Sequence, residues 1–264
     1  FDFAELEQTV ASTVRLAIQN PVSLYLFFQR YTYFNGYASS MISRLASSIS
    51  MSRYLFKDSE ILINEQADRG MQIADRVMFA AVDEGANGVS HRSLAQATLN
   101  TVGDYAGLCV EQRYEYCRVP AWLDEIINGI IQNYQGTPGN IASLIEAMGF
   151  HVASEIMGDS EYGLLDKIVR HENKGVGFDS YLNQAYPVKI QGHTYHPWCW
   201  VLMHSRHDNS GVEIEHFDRG LEALNLSVKY TNESEEQIVN WAVKGFNKFL
   251  ELQQRLFREI YREC

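Results

Sequence analysis

Positive charge is in short supply in this chain: 22 lysines and arginines face 33 aspartates and glutamates, a formal charge of −11. Such a surface repels phosphate backbones and anionic lipid headgroups, so neither nucleic acid nor an anionic membrane is an expected partner. Long apolar runs are missing too. No stretch approaches the roughly 18 uninterrupted apolar residues that a membrane helix needs, and no membrane span is expected. No basic stretch with an apolar core after it opens the chain, so a signal peptide is not expected either. Cys109, Cys117, Cys199 and Cys264 contain no CxxC pair. That argues against a thiolate zinc site or a disulfide framework, and for reduced thiols in a cytoplasmic protein. Proline occurs only five times, and internal repeats and low-complexity tracts are absent.

What is present is helical periodicity, in segment after segment. The spacing predicts helices over about 4–18, 22–50 with Gly36 as a kink, 58–84 after Asp58-Ser59, and 90–108 with Ser90 as N-cap. Further helices are expected from Pro120 to about 134, over 139–171, from Pro197 to about 226, and over 233–262 after Asn232. Residues 173–195 read as a loop or irregular excursion. With 46% hydrophobic residues in 264, the chain can fill one large core. Residues 1–264 are therefore expected to form a single all-α domain, one compact helical bundle.

Three of these helices interrupt their own apolar stripe with a carboxylate. Ile63, Ala67, Gly70, Ala74, Val77 and Ala81 lead to Glu84; Ile141, Ile145, Met148 and Val152 lead to Glu155. After Pro197, Glu213, His216, Gly220 and Ala223 share one face. One glutamate at the end of a stripe is usually frayed and solvated. Three helices repeating the violation point to carboxylates that meet inside, at several kcal/mol each unless a cation compensates. Lysine and arginine are scarce on these stripes, whereas His91, His216 and the pair His204 and His207 lie close to them in sequence. Carboxylate and imidazole donors without thiolate suit iron or manganese, and less commonly zinc. Two divalent cations against three carboxylates sum to about +1, tolerable to bury where −3 is not.

A ferritin-like di-iron bundle needs two Glu-x-x-His pairs, and only Glu213–His216 is present. The stretch DEGANGVSHRSL instead resembles the hallmark of the haem-oxygenase-like di-iron oxidases: an acidic pair with glycine, six residues between Glu84 and His91, and apolar Leu94 three positions on. AMGFHVASEIMGDSEYGLL resembles that family's central helix, with Glu155 in the bridging position. VEIEHFDRGLEAL resembles the second half of its His-x-x-x-Asp-x-x-His run, with Glu213 and His216. Asn209 stands where the leading histidine belongs. A small widening of the helix brings His207 into that role, and a larger excursion His204.

The resemblance implies a haem-oxygenase-like bundle whose two iron ions (ferrous, or manganese) are held by Glu84, His91, Glu155, His207, Glu213 and His216. It implies dioxygen as co-substrate, and N-oxygenation, C–H oxidation or C–C cleavage of a small amine, amino acid or fatty-acid-like molecule. A homodimer is also implied. Within that family a tyrosine of the protein itself can be consumed. Tyr25, Phe27, Phe28, Tyr31, Tyr33, Phe34 and Tyr37 form an aromatic ribbon that serves either as core or as the lining of a substrate pocket. Two other readings compete: a metal-free thiaminase-like or quinone-cofactor-forming enzyme of the same fold, and a helical interaction module. Cys199, between two tryptophans, is expected to be a buried structural thiol, and His151 is left without a role.

Overall fold

The computed structural model of the protein describes residues 2–58, 61, 68–85, 88–205 and 212–264. The expected all-α bundle is what it shows. Among the described residues, twelve α-helices follow in chain order: α1 (Phe3–Ala17), α2 (Pro21–Asn35), α3 (Ala38–Met51), α4 (Arg69–Gly85), α5 (His91–Tyr105) and α6 (Val110–Tyr116). Then come α7 (Ala121–Tyr134), α8 (Ile141–Asp166), α9 (Gly177–Leu182), α10 (Cys199–His204), α11 (Val212–Tyr230) and α12 (Glu235–Glu263). Among the described residues no helix is long and apolar enough to cross a membrane, and all four cysteines are free thiols.

The helix starts are set by side chains that accept the first free backbone N–H groups. Asn20 Oδ1 accepts from Val22 N at 2.8 Å, ahead of Pro21 in the first turn of α2. Ser90 accepts from Ser93 N, as expected for the start of α5. Several boundaries differ from the periodicity. The 22–50 stretch is two helices, because the chain breaks at Gly36–Tyr37, where Asn35 Nδ2 takes the Tyr31 carbonyl at 3.1 Å. Helix α4 begins after Asp68, whose Oδ1 accepts from Met71 N at 3.0 Å; most of the earlier part of the expected 58–84 helix, residues 59, 60 and 62–67, lies outside the described residues. Ser234, in a capping box with Gln237, starts α12 in place of Asn232. The segment opened by Pro197 is divided into α10 and α11. Residues 173–195 hold α9 and a two-stranded antiparallel hairpin, β1 (Val188–Ile190) and β2 (His193–Tyr195). Its two-residue turn has positive φ at both Gln191 (51°) and Gly192 (84°), the pattern that matches strand twist. Helix α6 is too short to leave a periodic signature.

The 26-residue α8 is the axis of the molecule, flanked by α11, α12, α7, α10 and α1. It crosses α12 almost backbone to backbone. A Cβ on Gly149 would lie 2.0 Å from the Ala242 carbonyl oxygen, and one on Gly245 would lie 1.8 Å from that of Glu146. No side chain can yield there, so the helices must separate to accept a methyl group. Gly245→Ala should cost roughly 1–3 kcal/mol of stability, seen as a lowered midpoint in thermal or denaturant unfolding; an unchanged midpoint would show that α8 and α12 do not meet this closely.

Candidate metal centre

Five helices deliver the acidic and imidazole side chains to one region of the core. The last turn of α4 carries Asp83 and Glu84. Gly85 closes that turn, and a Cβ there would come within 2.5 Å of Ser39 Oγ, the group that bonds the Ala81 carbonyl and ties α4 to α3. The turn after α4 leads to His91, the first residue of α5. Helix α8 supplies His151 and Glu155, α10 ends on His204, and α11 opens with Glu213 and His216 in its first two turns.

These groups form a continuous chain of contacts. Glu84 Oε1 lies 2.9 Å from His91 Nδ1, and the His91 and His204 rings meet edge to face at 4.8 Å. His204 Nδ1 lies 2.5 Å from Glu213 Oε1. Glu213 Oε2 is 3.6 Å from His216 Nδ1, which is also 3.1 Å from Glu155 Oε2. The other face of His216 reaches Asp83, with Nε2 to Oδ2 at 3.4 Å, and Glu155 Oε1 lies 3.1 Å from His151 Nδ1. Glu155, Glu213 and all four histidines are buried, while Glu84 is partly exposed.

Two trios emerge whose candidate donor atoms all lie within 4.8 Å of one another: Glu84, His91 and His204, and Glu155, Glu213 and His216. Glu213 touches a histidine of each trio, so it is the carboxylate between them, whereas Glu155 faces His216 and His151. His207 lies outside the described residues. His204, the second choice from sequence, is in the first trio, at the end of α10, which packs against α11.

Charge explains the protonation pattern. Burial alone would push Glu155 upward, but the imidazoles of His151 and His216 hold it well below the usual carboxylate range. Burial would likewise lower His216, and Asp83, Glu155 and Glu213 overcome it and raise it. His204 is raised in the same way by Glu213 and Glu84 against the burial penalty. The fit to metal ions can be tested on the ring nitrogens. His91 Nδ1 and His204 Nε2 are buried and make no hydrogen bond, and His216 turns Nδ1 toward Glu155 and Glu213. For His91 this holds despite the 2.9 Å approach to Glu84, since the alignment a hydrogen bond requires is missing. Buried nitrogens without partners, next to carboxylates, are a donor set that suits divalent cations.

The trios open onto a cavity of about 360 Å³, whose lining includes Glu84, His91, Glu155 and Glu213. The aromatic ribbon divides at this wall. Tyr25, Phe27, Phe28 and Tyr31 are core, and Tyr33, Phe34 and Tyr37 line the cavity. Cys199 is absent from the lining, and burial raises its thiol, as suits a structural cysteine. Sequence reasoning missed Gly158, where a Cβ would stand 3.3 Å from the Glu213 carboxyl carbon; it keeps room on α8 for that carboxylate. It also missed Tyr162, stacked on His204 at 4.4 Å, and Glu161, whose Oε2 accepts from the Tyr31 hydroxyl at 2.7 Å. The one available signal was a second acidic-aromatic pair, Glu161-Tyr162, two turns after Glu155.

No family model matches this sequence, and no curated protein matches it. Among solved structures, a TenA homolog from Pseudomonas syringae pv. tomato is similar, with a TM-score of 0.57 over 99% of this chain and 89% of that one, at 13% identity. The likeness shows the fold, an all-helical bundle.

Burial pushes Glu161 up to about 8, Tyr31 opposing and the Glu213 charge adding to the rise. The folded protein therefore keeps a proton there that the unfolded chain releases above the ordinary carboxylate range. This contribution to stability is complete at low pH and is lost as pH rises through about 8. In metal-free protein, Glu161→Gln should accordingly gain on the parent by about 1 kcal/mol per pH unit between roughly pH 5 and 7. Denaturant titrations across that range measure it, and parallel curves for the two proteins would refute the assignment.

Proposed function

We propose that this protein is a non-haem di-iron oxygenase or oxidase acting on a small organic substrate in the 360 Å³ cavity. The observation that carries the reading is the pair of carboxylate–imidazole trios joined by the contact of Glu213 with His204, with two buried ring nitrogens, on His91 and His204, that lack hydrogen-bond partners. Glu84, His91 and His204 would hold one ion and Glu155 and His216 the other, with Glu213 reaching both. Ferrous ions in such a site supply the electrons that activate dioxygen.

The chain's own residues do the rest. Asp83 and His151 back up His216 and Glu155, fixing ring and carboxylate orientation as outer partners of a metal site do. Tyr162 stacked on His204 and Phe79 against His216 at 5.9 Å keep bulk water off the imidazoles. The cavity wall holds the substrate beside Glu84, Glu155 and Glu213.

The fold of the TenA homolog favours a second reading, a metal-free thiaminase-like enzyme. That reading gives no counter-charge to the buried carboxylates beyond protons on His204 and His216, and Cys199 is not in the cavity wall to act as a nucleophile.

Anaerobically purified protein should contain about two iron ions per chain by elemental analysis, and His204→Ala about one. Gly158→Ala should weaken iron binding by roughly 10-fold or more by crowding Glu213, with little loss of fold by circular dichroism. Metal-free protein that stays active under chelator would replace this reading with the second one.

A further inference from the structure

Glu161 and Gln253 line the same cavity as the two trios, yet neither belongs to a trio. Both are almost wholly buried, and each has an oxygen that makes no hydrogen bond, Oε1 in both cases. Glu161 Oε2 is satisfied by the Tyr31 hydroxyl. Among the described residues no lysine, arginine or histidine pairs with this carboxyl. Tyr31, which bonds it, belongs to a cluster of three rings: Tyr162 and Trp200 meet at 5.3 Å, and Tyr31 lies 5.8 Å from each. Tyr162 and Trp200 also face the cavity. Once Glu161 is ionised, its carboxylate oxygen and the amide oxygen of Gln253, both without partners, form a pole that attracts positive charge and hydrogen-bond donors. The Glu213 carboxylate adds to the negative potential there.

We propose that Glu161, Gln253, Tyr162 and Trp200 form a recognition subsite for the ammonium group of an alkylamine substrate. The three ammonium N–H groups meet the needs of the site: one donates to Glu161 Oε1, one to Gln253 Oε1, and the cation rests against the rings. Met41, Ile42, Phe34, Leu99, Ile130 and Phe249 supply apolar wall for the carbon chain. A substrate that ends in carboxylate meets two acceptor oxygens and is rejected, so the subsite selects amines over fatty acids. The proposal rests on the di-iron reading for what happens to the bound molecule, but not for its binding.

Hexylammonium, hexanoate and hexanol are suitable probes, titrated calorimetrically into the full chain at about pH 9, where Glu161 has lost its proton and the amine keeps its own, metal-free and iron-loaded. Hexylammonium should bind at least about tenfold more tightly than hexanoate or hexanol, and Glu161→Gln should remove that preference. The iron content of the variant should match that of the parent. Equal or tighter binding of hexanoate would overturn the subsite, as would an unchanged preference in Glu161→Gln. Should the variant not fold, the ranking of probes by the unmodified protein decides alone. Protein without iron that still prefers the amine supports the subsite while removing the di-iron reading; protein with two irons and no preference removes the subsite only.

Discussion

Carboxylates and imidazoles buried together in the core constrain everything around them. An ionised glutamate in a dry interior costs several kcal/mol, and the histidines opposite repay that cost only if both members stay in register. Glu155 and Glu213 come from α8 and α11, and their partners His151, His204 and His216 from α8, α10 and α11. Sliding any of these helices by one turn would leave a buried charge without its partner.

The same constraint explains the size of the residues between the helices. Gly220 lets α11 approach Val152 on α8, and Gly158 leaves space for the Glu213 carboxylate. Gly85 lets the end of α4 settle against Ser39. Each small residue stands where a helix bearing a carboxylate must come close to another. Aromatic rings then fill the space around the polar chain, so that what separates it from water is Tyr134, Tyr162, Phe79 and Trp200.

The helical class and the acidic positions were legible in the sequence for the same reason: a carboxylate in an apolar stripe breaks a 3.6-residue pattern that is otherwise regular. Glu84, His91, Glu155, Glu213 and His216 are brought together as that pattern suggested. His204 was harder to choose, because it ends α10 while Glu213 and His216 belong to α11, and spacing along one helix does not relate residues of two. Glu161 left no more sign than its pairing with Tyr162, since it sits in a stretch of α8 with other acidic residues, and its burial beside the Tyr31 hydroxyl comes from tertiary packing. Hairpin β1–β2 escaped for a related reason, being three residues per strand, too short for alternation to register.

The glycine crossing of α8 and α12 has a consequence at some distance from itself. Gly245, Phe249 and Gln253 follow one another at single-turn intervals along α12, and the last two form part of the cavity wall. The crossing point thus works as the zero mark of a ruler, setting how deep the chamber is and which functional group forms its floor. Lineages that moved that mark by one turn would inherit a chamber of different reach without altering a single acidic side chain.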